Sequence, residues 1–458
     1  MLDTADILRR AVCPVMGCTE PAAVALACAL ARDVARDGAP AWPGAGKTRA
    51  ARRAPAPRGR RTQGDFRLEL LRVRTSRSIF KNAMAVGIPP RGKESGIHIA
   101  AAMGLFLPSV DGLNLLKRAD EAVVEAARDV LRRSLLVLDV DERDEEIYIE
   151  AMVICTVGGE RHVGEAVLCG GHDAVTLLRR DGAVLLRKAS TGGRAVRALA
   201  PLASCSLGDL LVMARGIGSA ERRFLLEGVA MNREASRSGL RLGLGLGVGA
   251  ALQAMVRDGT MADDLIARIK IATAGAADAR MSGYEVEVMS SSGSGNQGIM
   301  AILPVAVTAE SVGAGEKKLA EALALSHLVT ASMTFGIGLL SALCGCVVKA
   351  GIGATAGIAC LLAGREEVIE AAVANMAANI VGEICDGAKV GCALKLATAA
   401  AAAADSALLA RRGVRVPWSN GIVGASSAET FRSISRVSAS MKDVDRAIIE
   451  IIEEKQAR

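Results

Sequence analysis

The stretch CDGAKVGCALKLATAAAAAADSALLA at residues 385–410 decides the fold class of this chain. From Cys392 onward it is rich in alanine and leucine and holds neither glycine nor proline, so it reads as one long helix. Side chains this small let helices approach closely, and tight helix-on-helix contacts are expected. Working outward, the same periodicity recurs in SLGDLLVMARGIG (206–218), ERRFLLEGVAMNREASRSG (221–239), MADDLIARIKIATAGAADARM (261–281), EKKLAEALALSHLVTASM (316–333) and REEVIEAAVANMAANIVGEI (365–384). The tail from Ala428 adds one or two amphipathic helices. Residues 201–458 therefore predict an all-helical domain.

The N-terminal half reads differently. FRLELLRVRT (66–75) alternates as a strand does, and EEIYIEAMVICTV, RHVGEAVLCGG and AVTLLRRDGAVLLRKAS within 145–190 give three more strand-like runs with glycine turns between them. Helical stretches fall at 95–106 and 118–134. Residues 66–200 thus predict a small mixed α/β domain. Residues 1–37 predict one or two helices that pack on the helical domain, with Thr19 as N-cap and Glu20 and Pro21 in the first turn. The fold class expected is α+β: a large all-helical domain with a smaller mixed α/β domain in the N-terminal half.

Composition bounds the function. The chain has 458 residues, a net charge of +7 and very few aromatic residues. Residues 47–61, KTRAARRAPAPRGRR, carry seven positive charges and no acidic residue, so the rest of the chain is neutral. Without aromatic side chains for base stacking, this stretch does not imply nucleic-acid binding. With its Pro, Ala and Arg content, residues 38–65 read as a flexible basic insertion. GAGKT at 44–48 has the end of a phosphate loop, but Ala41 stands where the first glycine is needed and no apolar strand precedes it. The eleven cysteines are odd in number and scattered, which argues against a disulfide framework. With no apolar run in MLDTADILRRAVCP, the expected compartment is the reducing cytoplasm. The run LVTASMTFGIGLLSALCGCVV (328–348) carries no charge over a length able to span a bilayer. Its Gly, Ala, Ser and Cys content and the lack of Trp or Tyr at its ends favour a buried helix and no membrane.

Several constellations can carry chemistry. Cys385 and Cys392 are spaced seven apart with glycines between, and Cys344 and Cys346 precede them by about forty residues. Thiolates are the usual ligands of iron–sulfur clusters, and three of them on a four-iron cluster leave one iron open as a Lewis acid. The same cysteines are equally readable as small buried hydrophobes. SSSGSGNQGIMAILPV (290–305) is either a flexible linker or an ordered loop feeding a buried helix near Gln297, whose N-terminus suits a carboxylate. Cys18 lies just before a helix N-terminus, a location that favours thiolate chemistry. His172, at a turn after a strand, is either structural or a proton-transfer group. Lys389 and Lys395 flank the cysteines and suit carboxylate binding or a base. KNAMAVGIP (81–89) and SNGIVGASSAET (419–430) read as glycine-interrupted polar loops; His98, His162 and His327 carry no motif.

Taken in order, GCTEPAAVALA (17–27), IFKNAMAVGIP (79–89), IYIEAMV (147–153), SSGSGNQGIMAILPV (291–305), LCGCVVKAGIGATAGIACLLAG (343–364), ICDGAKVGCALKLA (384–397) and SNGIVGASSAETF (419–431) resemble the L-cysteine desulfidase family, related to the α chain of iron–sulfur L-serine dehydratases. The resemblance implies a [4Fe–4S] enzyme, without pyridoxal phosphate, that converts L-cysteine to pyruvate, ammonia and hydrogen sulfide. It implies that Cys385, Cys392 and one of Cys344 or Cys346 hold the cluster, that Cys18 is a further ligand or a catalytic thiol, and that Ser294, Gly295, Asn296 and Gln297 contact the substrate carboxylate. Lys389 and His172 are the remaining catalytic candidates. The partner expected is a small amino acid, and related enzymes imply a homodimer. Two departures stand out. The basic insertion at 38–65 is foreign to the family, and His172-Asp173-Ala174 stands where His-Thr-Asn is expected. The alternatives are L-serine as substrate by the same chemistry and, from another class, a membrane or carrier protein built on 328–348.

Overall fold

A computed structural model describes residues 3–40, 42, 66–89, 94–143, 145–190 and 194–456. The basic stretch 47–61 and GAGKT lie outside the described residues. In chain order the elements are α1 (Thr4–Ala11), β1 (Pro14–Met16), α2 (Thr19–Asp37), β2 (Phe66–Ser76), α3 (Arg77–Ala83), β3 (Gly87–Ile88), β4 (Glu94–Ser95), α4 (Ile97–Gly104), α5 (Glu121–Arg132), β5 (Leu136–Asp141), β6 (Tyr148–Val157), β7 (Glu160–Cys169), β8 (Val175–Arg180) and β9 (Ala183–Arg187). They continue with α6 (Arg194–Arg197), α7 (Leu207–Arg215), α8 (Ser219–Leu242), α9 (Val248–Arg257), α10 (Leu265–Met281), β10 (Glu287–Met289), α11 (Gly295–Ser311), α12 (Glu316–Ile337), α13 (Lys349–Leu362), α14 (Glu366–Ile380), α15 (Cys392–Arg411), α16 (Ser427–Ala439) and α17 (Lys442–Gln456). The protein is α+β, as its sequence predicts.

Two compact units divide the chain: Cys18–Arg194 with Ile451–Arg458, and Met1–Gly17 with Ala195–Glu450. The first is the mixed unit. Its sheet runs β5-β2-β6-β7-β8-β9, with only the β2–β5 pair parallel. The β8–β9 hairpin turns through Asp181 and Gly182 at φ 47 and 83, the left-handed pair that a tight hairpin needs. Helix α2 belongs to this unit, which revises the expectation that residues 1–37 pack together on the helical domain. It is apolar on nearly every side because it is covered on nearly every side, lying on β6, β7 and α4. Contact is so close that a methyl group on Gly164 would overlap the Ala31 carbonyl oxygen, and one on Gly104 that of Ala25. The helix begins at Thr19 with Cys18 in the N-cap position, one residue earlier than expected, and stops at Gly38. Lys81 and Asn82, expected in a loop, lie in α3, where Asn82 Nδ2 donates to the Ser78 carbonyl over 2.8 Å.

The second unit is the helical one, joined by the short β1–β10 pair. Small residues again set the spacing. An added Cβ on Gly353 of α13 would lie 2.5 Å from the Ser326 carbonyl oxygen of α12, so these helices touch along their backbones. The apolar run 328–348 is not one helix: α12 ends at Ile337, Gly338 takes φ 99, and α13 starts only at Lys349. Among the described residues two helices, Glu316–Ile337 and Cys392–Arg411, are long and apolar enough to cross a membrane, and 78% of the first one's apolar window is buried inside the protein. Core helices of soluble proteins pass the same test.

Candidate functional site

The site grows from the start of α11. Ser290 and Ser292 donate their backbone N–H groups to the carbonyls of Cys13 (2.8 Å) and Ala11 (2.6 Å), anchoring the serine loop along the first segment of the chain. Ser291 and Ser294 exchange two backbone hydrogen bonds of 3.1 Å around Ser292 and Gly293, which take φ 48 and 83. This tight turn delivers Ser294 as the extended N-cap, and the helix starts at Gly295 rather than near Gln297. The first N–H groups of a helix have no partner within it, so the loop ends on a row of donors. Apolar sequence after the loop thus marks an ordered helix start, not a linker.

Side chains hold that start rigidly. Arg280, from α10, is 3% exposed; its Nη1 donates to Asn296 Oδ1 over 3.0 Å and its Nη2 to the Gly17 carbonyl over 2.7 Å. Gly295 is a glycine because a Cβ would overlap the Arg280 guanidinium, and Gly298 because one would overlap the Met289 carbonyl. Asn296 is therefore occupied, its Nδ2 lying 3.3 Å from Met281 Sδ. Gln297 is buried, and its Oε1 accepts no hydrogen bond among the described residues.

The thiol-bearing loops converge by backbone pairing. Leu343 and Ile384 form a bridge; Cys385 donates its N–H to the Ala342 carbonyl over 2.7 Å and Cys344 to that of Glu383 over 3.0 Å. Lys395 Nζ ties the second loop to α15 through the Ile384 carbonyl (2.6 Å), Asp386 Oδ1 (2.9 Å) and Glu383 Oε1 (3.1 Å). Lys389 Nζ pairs with Asp386 as well. Burial raises the Asp386 pKa, but Lys389 and Lys395 outweigh it and hold the carboxyl down at about 2. Cys392 opens α15, and burial pushes its thiol up to about 11. The Cys346 thiol donates to Cys344, which brings Cys344 down to about 7 against its burial and pushes Cys346 well up. Charge on Cys344, Cys385 and Cys392 is felt at Cys346, so the four sulfurs are electrostatic neighbours. No disulfide joins any of the eleven cysteines, and among the described residues no three His, Cys, Asp or Glu side chains come together so as to hold a metal ion. The donor set is nonetheless thiol-rich and partly buried, the chemistry that iron–sulfur clusters take.

Gly345, between Cys344 and Cys346, joins the two halves of the site. A Cβ there would lie 3.0 Å from Gln297 Nε2 and 2.7 Å from Lys349 Cε. Lys349 is wholly buried, its ammonium donating to the carbonyls of Gly338 (2.7 Å) and Leu339 (3.2 Å) at the end of α12. His327, in the middle of α12, is also wholly buried, with Nδ1 2.9 Å from Ser291 Oγ. Neither residue stands out in the sequence. Lys349 follows the CGC run by three residues, the one local signal that points to it.

Two predicted residues meet in the mixed unit. Cys18 Sγ donates to Glu20 Oε2 over 2.8 Å, and Thr19 Oγ1 lies 3.3 Å from the same oxygen. His172 Nε2 lies 4.0 Å from Glu20 Oε1, and burial pushes its pKa down. Glu20 is thus the shared neighbour of the two, read from the sequence only as a first-turn acid.

The model of the family described as serine dehydratase alpha chain matches residues 210–450. A UPF0597 protein of Clostridioides difficile (strain 630) is 37% identical over 454 residues, 98% of this chain and 98% of its own. Another, from Alkaliphilus oremlandii (strain OhILAs), is 36% identical over 447 residues, 97% and 96% of the two chains. A third, from Caldanaerobacter subterraneus subsp. tengcongensis, is 35% identical over 459 residues, 100% and 99%. The chain therefore belongs to the serine dehydratase alpha chain family.

Proposed function

We propose that this protein is an iron–sulfur-dependent lyase that eliminates the β-substituent of L-cysteine, giving pyruvate, ammonia and hydrogen sulfide without pyridoxal phosphate. The observation that carries the reading is the seating of Gly345, between two thiols, against Gln297 at the head of α11. It brings a thiol donor set to a helix N-terminus suited to a carboxylate. Cys385, Cys392 and one of Cys344 or Cys346 would hold a [4Fe–4S] cluster, with Cys18 as a further ligand or a catalytic thiol. When bound, the cluster supplies a Lewis-acidic iron.

The chain's own residues do the rest. The N–H groups that follow Ser294, with Gln297, hold the substrate carboxylate, while Asn296 serves through its bond with Arg280. The candidate bases are His172 and Lys389. Burial pushes the His172 pKa down, which favours the neutral imidazole that a base needs. Lys389 Nζ is engaged in an ion pair with Asp386. Loss of the Cα proton and of the β-substituent leaves aminoacrylate, whose hydrolysis releases ammonia and pyruvate. The enzyme works on a free amino acid in the cytoplasm, as a homodimer, with neither nucleic acid nor membrane as partner.

The matched family description favours a second reading, L-serine as substrate with hydroxide as leaving group. Anaerobic reconstitution with iron and sulfide, followed by pyruvate release from L-cysteine and L-serine side by side, tests both. Visible iron–sulfur absorbance with faster turnover of L-cysteine is expected. A colourless protein overturns the cluster, and a preference for L-serine overturns the substrate. Replacing Cys385 by Ala should abolish colour and turnover, whereas Cys360→Ser, in α13, should keep both.

A further inference from the structure

A fully buried imidazole between packed helices is costly unless its nitrogens are engaged, and an apolar side chain would fill the same space more cheaply. His327 keeps one nitrogen bonded, Nδ1 to Ser291 Oγ at 2.9 Å, and its Nε2 has no partner among the described residues. Burial pushes its pKa down to about 4, so the ring is neutral in neutral solution and serves the loop as a hydrogen-bonding group rather than a charge. Its one polar contact goes to the residue that closes the tight turn: Ser291 exchanges both backbone hydrogen bonds with Ser294, the N-cap of α11. The other side of the loop is held by backbone bonds to Ala11 and Cys13 and by the glycines packed on Arg280 and Met289. The histidine thus completes the anchoring from the α12 side.

We infer that His327 is a positioning residue: through Ser291 it sets the turn that aims the N-terminal donors of α11 at the substrate. The kinetic consequence rests on the proposed elimination; the structural consequence does not. The experiment compares Ser291→Ala, His327→Asn, His327→Ala and the Ser291→Ala/His327→Ala double variant in the reconstituted full-length enzyme. Losing one positioning hydrogen bond should raise KM about five- to tenfold with kcat within about twofold. The inhibition constant for L-alanine, which has the carboxylate but no leaving group, should rise by the same factor. His327→Asn, whose amide stands close to the position of Nδ1, should recover most of the loss, and the double variant should be no worse than His327→Ala. Amide hydrogen exchange across residues 286–300 should quicken in Ser291→Ala and His327→Ala, with the mixed unit unchanged. Unchanged exchange in that segment overturns the inference whatever the wild type does with amino acids. A fall in kcat at constant KM overturns it as well, in favour of direct catalysis. A wild type that releases no pyruvate from either amino acid overturns the activity instead, and the exchange data still decide the role of His327.

Discussion

Arg280 donates from Nη1 to Asn296 Oδ1 over 3.0 Å and from Nη2 to the carbonyl of Gly17 over 2.7 Å, both out of contact with solvent. One guanidinium thereby ties α10, the first turn of α11 and the segment that follows β1. Its planar fork reaches two acceptors at once, which an ammonium on a flexible stem does less well.

Replacing Arg280 by Met keeps the length of the side chain and removes both donors. Two buried acceptors lose their partner, each at a cost of about 1–3 kcal/mol. The variant is expected to lose about 3 kcal/mol in urea unfolding and to bind substrate more weakly. A loss below about 1 kcal/mol means that the contact carries little.

Gly345→Ala probes the junction of the two loops. The new methyl group meets Lys349 Cε at 2.7 Å and Gln297 Nε2 at 3.0 Å, and Lys349 is pinned by two carbonyls. Overpacking of this kind costs about 1–3 kcal/mol. We expect a folded protein with at least tenfold lower pyruvate release and weaker visible absorbance after reconstitution. Normal absorbance and turnover would show that the loops adjust independently.

Asp278 introduces a pH dependence. It lies in α10, buried against the start of α9, where the Gly249 N–H donates to Oδ2 over 2.9 Å. Burial raises its pKa to about 6, although the backbone N–H groups of Leu246 to Gly249 pull the other way. The folded state therefore holds this proton more tightly than the unfolded state does. Its contribution is greatest below the unfolded pKa near 4 and declines as pH rises through about 6, by roughly 3 kcal/mol at most. Urea midpoints of wild type and Asp278→Asn measured from pH 4 to pH 7 should show this decline in the wild type only. A parallel pair of curves would disprove the assignment.

In the mixed unit, Gly164→Ala tests how closely α2 lies on β7. The added methyl group overlaps the Ala31 carbonyl oxygen, a backbone atom that yields only if the helix moves. We expect a loss of about 2 kcal/mol in thermal unfolding. Gly158→Ala serves as control, since no atom lies within 4 Å of its added Cβ, although its φ of 60 adds some backbone strain of its own. Equal losses in the two would mean that α2 gives way easily.

Several elements escaped a reading by local pattern. Helix α13, KAGIGATAGIACLL, carries three glycines that argue locally against a helix. Contact with α12 selects it, because only glycine lets Gly353 lie against the Ser326 carbonyl. Strand β5, LVLDVD, is an edge strand that pairs with β2 in parallel from across α3, α4 and α5, so its partner is far away in sequence. The site divides in the same way. SGNQG and the two cysteine runs stood out because glycines, serines and thiols cluster there at short spacing. Arg280, His327, Lys349 and Glu20 were not, because each sits on an ordinary helical pattern and acquires meaning only from its partner.

The sequence by itself determined most of the helices and strands, the α+β division, the helix starts near Cys18 and Cys392, and the residue types available for chemistry. These rest on periodicity and on contacts within a few residues. Only the tertiary structure decided that α2 belongs with the sheet, that the apolar run 328–348 breaks at Gly338, and that Gly345 meets Gln297. Those outcomes depend on close packing between surfaces far apart in the chain, where the fit of a glycine against one carbonyl outweighs local preference.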